Sequence, residues 1–455
     1  MKSWTKNPLI RGLGALEATT LVVGGIIGTT IFLVTSDVAN VVGSPMLVMV
    51  TWLVAGLLAG AAALCFAELS AAIPQAGGTY VFLRRAYGSE LIAFSFAWMM
   101  CFTYATGAIA IVAIMASTYL MPVLQALGLI DGEYISAGAI SLIAILTFLN
   151  ARGVHQGGIT QNVLTFTKIG LILALITGAL ILADLDLGRV FSAGESTDSL
   201  GSTLNKVSTA MILCLFSYSG AFFVTHVAEE VREPEKNIPR AILIGFTIVL
   251  ILYLALNIVY LSVLSFEEVR ASQRIASDMT AKLIGPAGAL VVAFIICCSS
   301  IGVLNAQLLN YPRIPFALAR DGLFFKNIAA VNEKTGVPTH ALILTGGVAS
   351  LYAVTGSYSQ ILGFVAFVMH FFICLAVLAV IVLRIREPDL PRPYKVWGYP
   401  FTPIAFLLIS AVYLYNLAVS QPLNVLVGVG IVAAGLPFYW YWKRQPVDTG
   451  SEPGL

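Results

Sequence analysis

Leu21-Val22-Val23-Gly24-Gly25-Ile26-Ile27-Gly28-Thr29-Thr30-Ile31-Phe32 is an apolar stretch punctuated by three glycines and closed by two threonines. Glycine alone does not break a membrane helix, because such helices use it for close packing. A second stretch of the same character, Phe216-Ser217-Tyr218-Ser219-Gly220-Ala221-Phe222, falls within the sixth apolar run, five helices further on. Paired interruptions at matching places in two halves of a chain point to a binding site near the membrane midplane. Both stretches are therefore expected to be unwound and to face each other.

The composition requires a bilayer around them. Of 455 residues, 58% are hydrophobic and 11% charged, and the mean hydropathy is +0.91, against about a quarter charged in soluble domains. Apolar runs at about 14–38, 45–70, 91–121, 134–150, 162–183, 203–228, 240–264, 287–310, 340–355, 359–384, 402–419 and 423–442 predict an all-α integral membrane protein with about twelve transmembrane helices. The first run reads as a retained span and not a cleaved signal, since it is long and many equal runs follow. Connectors on the side of the termini carry 19 Lys and Arg, those on the other side 5. By the positive-inside rule both termini are expected to be cytoplasmic, in a cell membrane. Connectors 74–88 and 312–334 are long enough for short interfacial helices, and the tail after Arg444 reads as disordered.

Several function classes are disfavoured. A net charge of +2 with scattered basic residues implies no nucleic-acid partner. The six cysteines (Cys65, Cys101, Cys214, Cys297, Cys298, Cys374) lie in apolar runs without metal-type spacing to histidine, so no metal or cofactor is expected. An intramembrane enzyme needs a nucleophile and base or an acidic cluster, and a channel needs a repeated filter. Neither is present in the sequence. A sensor that binds a solute without transporting it shares every motif and is separated only by a flux assay.

Unwinding frees backbone groups that lipid cannot satisfy. Freed N–H groups at a half-helix start suit a carboxylate, and freed carbonyls suit an ammonium. A zwitterionic amino acid matches both. Neither stretch contains Asp or Glu, which favours neutral amino acids, with a cationic amino acid or polyamine permease as the alternative.

Gly24 to Phe32, Phe66-Ala67-Glu68-Leu69, Ile73 to Tyr80, Phe216 to Gly220, Glu229-Glu230-Val231 with Pro234 and Asn237-Ile238-Pro239, Ala319-Arg320-Asp321-Gly322 and Arg392 to Pro400 together resemble the amino acid–polyamine–organocation superfamily, and within it the L-type amino acid transporter branch and its bacterial relatives. The resemblance implies the LeuT-type 5+5 inverted repeat, with helices 1 and 6 interrupted. It divides the chain into a cytoplasmic N-terminus (1–13), a ten-helix core (14–384, repeats about 14–183 and 203–384), a cytoplasmic loop (385–401), two additional helices (402–442) and a cytoplasmic tail (443–455). Carried over residue by residue, it implies carboxylate binding by the N–H groups of Thr29 and Thr30 beside Gly28. It likewise implies ammonium binding by carbonyls of Ile26, Phe216, Ser217 and Ser219, with Phe216 as an aromatic gate. Two positions depart from the pattern: Thr30 stands where the second glycine is usual, and Ala221 where a tryptophan is common. Both change the shape expected of the ligand pocket.

The resemblance also places Lys168 of the fifth run where sodium-coupled relatives hold a sodium ion, beside the broken first helix and Ser299 or Ser300. An ammonium at that depth costs a few kcal/mol, so it faces the bundle interior. It is a candidate proton acceptor for coupling, or a fixed cation that holds the helices together, in a symporter or an exchanger. Glu68, Glu229, Glu230, Arg232 and Glu233 read as ion-pair members near one helix end, and His226 and His370 as packing histidines. Eukaryotic exchangers of this branch attach a heavy subunit through a cysteine in the loop after the third span. Met121 to Tyr134 contains none, so no disulfide-linked heavy subunit is expected.

Overall fold

A computed structural model describes residues 9–132, 134–192, 199–355 and 358–445. Lys2, Lys6 and the tail beyond Gln445 lie outside the described residues. Among these the structure is helical throughout, with one isolated parallel bridge between Leu13 and Val231 in place of any strand.

The first apolar run forms two pieces. Helix α1 (Ala15–Ile26) begins where the Glu17 carboxylate accepts the Gly14 N–H at 2.8 Å, satisfying a donor that the helix start leaves unpaired. Helix α2 (Val34–Val42) ends at Gly43, whose φ of +71° is the left-handed conformation that closes a helix at low cost only for glycine. Pro45 occupies the first turn of α3 (Pro45–Ala72), where its missing N–H costs nothing. There follow α4 (Thr79–Tyr87), α5 (Glu90–Ala126, with a π-helical turn at Met100–Tyr104), α6 (Ile135–Ala151), α7 (Val154–Leu182) and α8 (Leu200–Ser217). The second half holds α9 (Phe223–His226), α10 (Pro234–Val263), α11 (Ala287–Asn310), α12 (Arg313–Arg320), α13 (Thr339–Thr355) and α14 (Tyr358–Arg386). Helix α15 (Phe401–Ser420) and a final helical stretch (Pro422–Arg444) complete it.

Among the described residues, eight helices are long and apolar enough to cross a bilayer, and Ala15–Ile26, Ile135–Ala151 and Thr339–Thr355 are shorter apolar helices. Helix α1 lies at the centre, packed on α7, α10 and α11. Helix α3 runs along α10, α5 along α11, and α15 flanks α3 and α14 from outside.

A chain of contacts gathers both described ends at one end of the bundle. Leu13 and Val231 pair through their backbones, Glu229 meets Arg320 at 2.8 Å, Asp321 meets Arg84, Arg84 meets Glu90 at 3.8 Å, and Glu90 lies 4.0 Å from Lys443.

Candidate substrate site

Both expected interruptions exist, and each is narrower than its sequence signal. Gly24 and Gly25 are still helical; the break lies at Ile27–Thr29, where Ile27 turns extended (ψ 94°) before a short 3₁₀ turn at Thr30–Phe32. The three glycines act differently. A Cβ on Gly24 would run into Gln161 and Thr165 of α7, and one on Gly25 would lie 2.6 Å from Phe223, so both serve close approach. Gly28 has no heavy atom within 3.7 Å of such a Cβ, and it lies in the unwound segment. Helix α8 stays regular through Ser217, and residues 218–222 form turns before α9. At Gly220 an added Cβ would collide with the backbone of Gly25, so the two helices that carry the breaks touch glycine to glycine.

Lipid offers no partner for the released backbone, so protein donors supply it. Lys168 is fully buried and donates from Nζ to the carbonyls of Gly24 (2.9 Å), Ile27 (2.9 Å) and Ser299 (3.1 Å). The Ser299 hydroxyl donates to Ile27 (3.0 Å) and Gly28 (3.3 Å). Ser300 does not join them; its hydroxyl donates to Ile296 in its own helix at 2.7 Å. After Ile27, the next backbone donor that engages a backbone acceptor, among the described residues, is the Phe32 N–H, bonded to Thr29. The N–H groups of Thr29 and Thr30 thus leave the helical ladder at a half-buried position.

The carbonyls named for an ammonium are mostly engaged. The Tyr253 hydroxyl of α10 donates to Ile26 at 3.0 Å and to Ser217 at 3.4 Å, tying the two breaks together. The Phe216 carbonyl accepts the Ser219 N–H at 3.2 Å. Trp52 and Tyr218 pack on the Tyr253 ring at 5.6 and 5.3 Å and hold it in place. Sequence reading missed Tyr253, one of three aromatic residues, with Phe246 and Tyr260, in an otherwise aliphatic run; its signal is a polar tip that seeks a partner when buried.

Below Lys168 a buried polar chain links four helices: Asn150 to Asn305 (2.9 Å), Asn305 to Gln161 (2.8 Å), and Gln161 to Thr165 and the Thr20 carbonyl. Phe216 is 56% exposed and, with Ser219 and Ala221, borders a cavity of about 130 Å3 between α3, α8, α14 and α15.

The bundle end where both described ends meet is closed by ion pairs. Glu230 and Arg313, both buried, form a two-point pair at 2.6 and 2.8 Å. Glu68 pairs with Arg384 at 2.6 and 2.9 Å and accepts the Val396 N–H, so its partners lie in the last turn of α14 and in the segment after it, and not at its sequence neighbours Arg84 and Arg85. Burial and the Asp321 carboxylate push the Tyr80 phenol well above its ordinary pKa, so it stays protonated and donates to Asp321 at 2.7 Å. Hydrogen bonds from Arg85 hold Glu387 below the usual carboxylate value. His226 pairs with Asn310 at 2.7 Å within this layer.

Comparison with known proteins covers nearly the whole chain. The profile of a family described as "Amino acid permease" matches residues 13–434. The chain is 30% identical over 448 residues to the large neutral amino acids transporter small subunit 2 of Oryctolagus cuniculus, spanning 96% of this chain and 82% of that protein. It is 29% identical over 451 residues to the b(0,+)-type amino acid transporter 1 of Mus musculus (98% and 91%). It is also 28% identical over 448 residues to the Asc-type amino acid transporter 1 of Homo sapiens (96% and 84%).

Proposed function

The chain belongs to the amino acid permease family, and from that premise we propose that it is a secondary carrier that moves neutral amino acids across a cell membrane by alternating access, with both termini cytoplasmic. The observation that carries this reading is the pair of helix breaks in mutual contact, one presenting freed N–H groups at Thr29 and Thr30 and the other bordering a cavity whose lining holds no carboxylate.

In this reading the ligand carboxylate accepts from the Thr29 and Thr30 N–H groups beside Gly28, at the positive end of the half-helix that follows. The ammonium takes the Ser219 carbonyl first. It shares the Phe216 carbonyl with the Ser219 N–H, and the carbonyls of Ile26 and Ser217 once the Tyr253 hydroxyl gives way, and the Phe216 ring covers the ligand. Lys168, with Ser299 against it, carries the coupling, because its ammonium grips the same unwound segment that grips the ligand. Ser300 contributes only by packing the turn behind Ser299. Proton symport and amino acid exchange both run through that contact. The loop 121–134 has no cysteine, so the carrier works without a disulfide-linked heavy subunit.

The test is uptake of labelled amino acids into proteoliposomes, with and without a pH gradient and with and without internal unlabelled amino acid. Saturable uptake of neutral amino acids is expected, accelerated by the gradient or by the internal amino acid. Lys168→Ala is expected to reduce that acceleration roughly tenfold or more, because three carbonyls lose their donor. Unchanged uptake by Lys168→Ala under every condition removes the lysine from coupling, and a response confined to diamines overturns the neutral reading.

A further inference from the structure

A groove of about 590 Å3 runs along the outside of the bundle where α3, α10 and α15 meet, and no residue of either helix break lines it. That volume falls within the range of roughly 300–1,000 Å3 typical of ligand sites. Its depth comes from small side chains, because Gly60 and Ala61 of α3 and Ala405 of α15 line it together with Leu243 and Leu250 of α10. No charged side chain belongs to the lining, and Leu57, Ile409 and Trp397 along it are exposed in a chain whose outer surface meets lipid. Between Ile242 and Leu250 the groove follows α10 for about 12 Å, at ~1.5 Å per residue. One leaflet offers roughly 15 Å of hydrocarbon, half of the ~30 Å bilayer core. The groove thus has the length of one acyl chain held within a single leaflet.

Its mouth lies where α10 and α15 begin and α3 ends, and that mouth is basic. Arg240 precedes Leu243 by three positions and Thr247 by seven, which places it on the groove side of α10, a turn nearer the helix start. Lys236 follows on the same face one turn further out, but Glu233 takes its charge at 2.9 Å, and Glu235 also lies further from the groove than Arg240. The other half of the mouth comes from the Arg392 to Pro400 motif, which the substrate site leaves unused. The Val396 N–H donates to Glu68 at 2.6 Å and the Thr402 hydroxyl to the Trp397 carbonyl at 2.5 Å, so the exposed Trp397 ring is held at the groove, with Lys395 two positions before it. Arg240 and Lys395 are both exposed, and neither has an ion pair or hydrogen bond among the described residues. Tryptophan and free basic residues at one level mark where a protein meets lipid headgroups.

We propose that this groove binds one anionic phospholipid, with an acyl chain along α3, α10 and α15 and the phosphate against Arg240 and Lys395 beside Trp397. The charge at the mouth and the leaflet-length apolar trench behind it are complementary to the two ends of such a lipid. The site asks nothing of the transported cargo, so it is tested apart from the carrier reading.

Native mass spectrometry of the purified full-length protein, titrated in one detergent with dioleoyl phosphatidylglycerol or dioleoyl phosphatidylcholine, reads the dissociation constant of the first lipid bound. Phosphatidylglycerol is expected to bind roughly tenfold more tightly or better, at about fivefold for each basic residue that meets the phosphate. Arg240→Gln is expected to cut that preference about fivefold. Ala405→Phe, which fills the groove from an exposed position, is expected to weaken both lipids about tenfold, equivalent to roughly two buried methylenes. Glycerol phosphate in excess, which lacks the acyl chains, is expected to displace neither lipid. The wild-type comparison decides without any variant: equal affinity for the two lipids overturns the anionic site. A preference untouched by Arg240→Gln, or lipid binding untouched by Ala405→Phe, overturns its placement in this groove. Displacement of phosphatidylglycerol by glycerol phosphate shows a site for a free anion and overturns the lipid.

Discussion

Glu230 and Arg313 show what a single pair contributes and what it costs. Both are buried, they meet at two points, and the Arg313 Nη1 atom is left without a partner among the described residues. Breaking a buried pair on one side strands the other charge, at roughly 3–5 kcal/mol, whereas replacing both ions by apolar residues is often neutral or stabilising. Glu230→Leu is therefore expected to lower the thermal midpoint in detergent sharply. Glu230→Leu combined with Arg313→Met recovers most of the loss, and a double variant as unstable as the single one would contradict this account. Charges near the helix ends were legible in the sequence as ion-pair members, but their partners were not. Glu68 finds Arg384, 316 positions away, because helix packing and not chain proximity decides who meets whom. Tyr253 was illegible for the same reason: nothing in its neighbours along the chain shows that the carbonyls of Ile26 and Ser217 lie within reach of its hydroxyl.

The two broken helices were readable from the placing of small and polar residues in long apolar runs, although the breaks are displaced from the glycines that announced the first one. Gly24 and Gly25 are helical because close contacts with α7 and Phe223, and not chain flexibility, require them. Unwinding begins only where Ile27 turns extended. The freed segments hold few ladder hydrogen bonds, and regions that lack such bonds open at low free energy. Hydrogen exchange followed by mass spectrometry is therefore expected to show faster exchange for peptides covering 27–33 and 218–222 than for those covering 48–66 or 241–260. Binding of an amino acid should slow the first pair selectively. Equal rates across all four would remove the unwound segments as the mobile part of the site.

Over the whole molecule, apolar composition and the lengths of the runs made an all-α membrane protein legible, and the asymmetry of 19 basic residues against 5 sets an expected orientation. The contacts among Leu13, Val231, Asp321, Glu90 and Lys443 gather both described ends at one end of the bundle. A C-terminal epitope tag is accordingly expected to be cut by added protease in inside-out vesicles and protected in right-side-out ones; the reverse pattern would invert the orientation. The lateral cavity was only half foreseen. Ala221 announced extra room, but His370 and Tyr413 arrive from helices far along the chain, and the sequence does not show which faces they present.

The glycine-to-glycine contact between Gly25 and Gly220 separates two kinds of position for anyone altering this carrier by selection. In the proposed reading, a library at Ala221 or Thr30 varies what is held and leaves this contact intact. At Gly220 even a methyl group meets the Gly25 backbone, and at Gly25 it meets the Phe223 ring, so variants there, at Gly220 above all, are expected to vanish from any selected pool regardless of the cargo used. New selectivity is reached by substitutions around that contact and not through it.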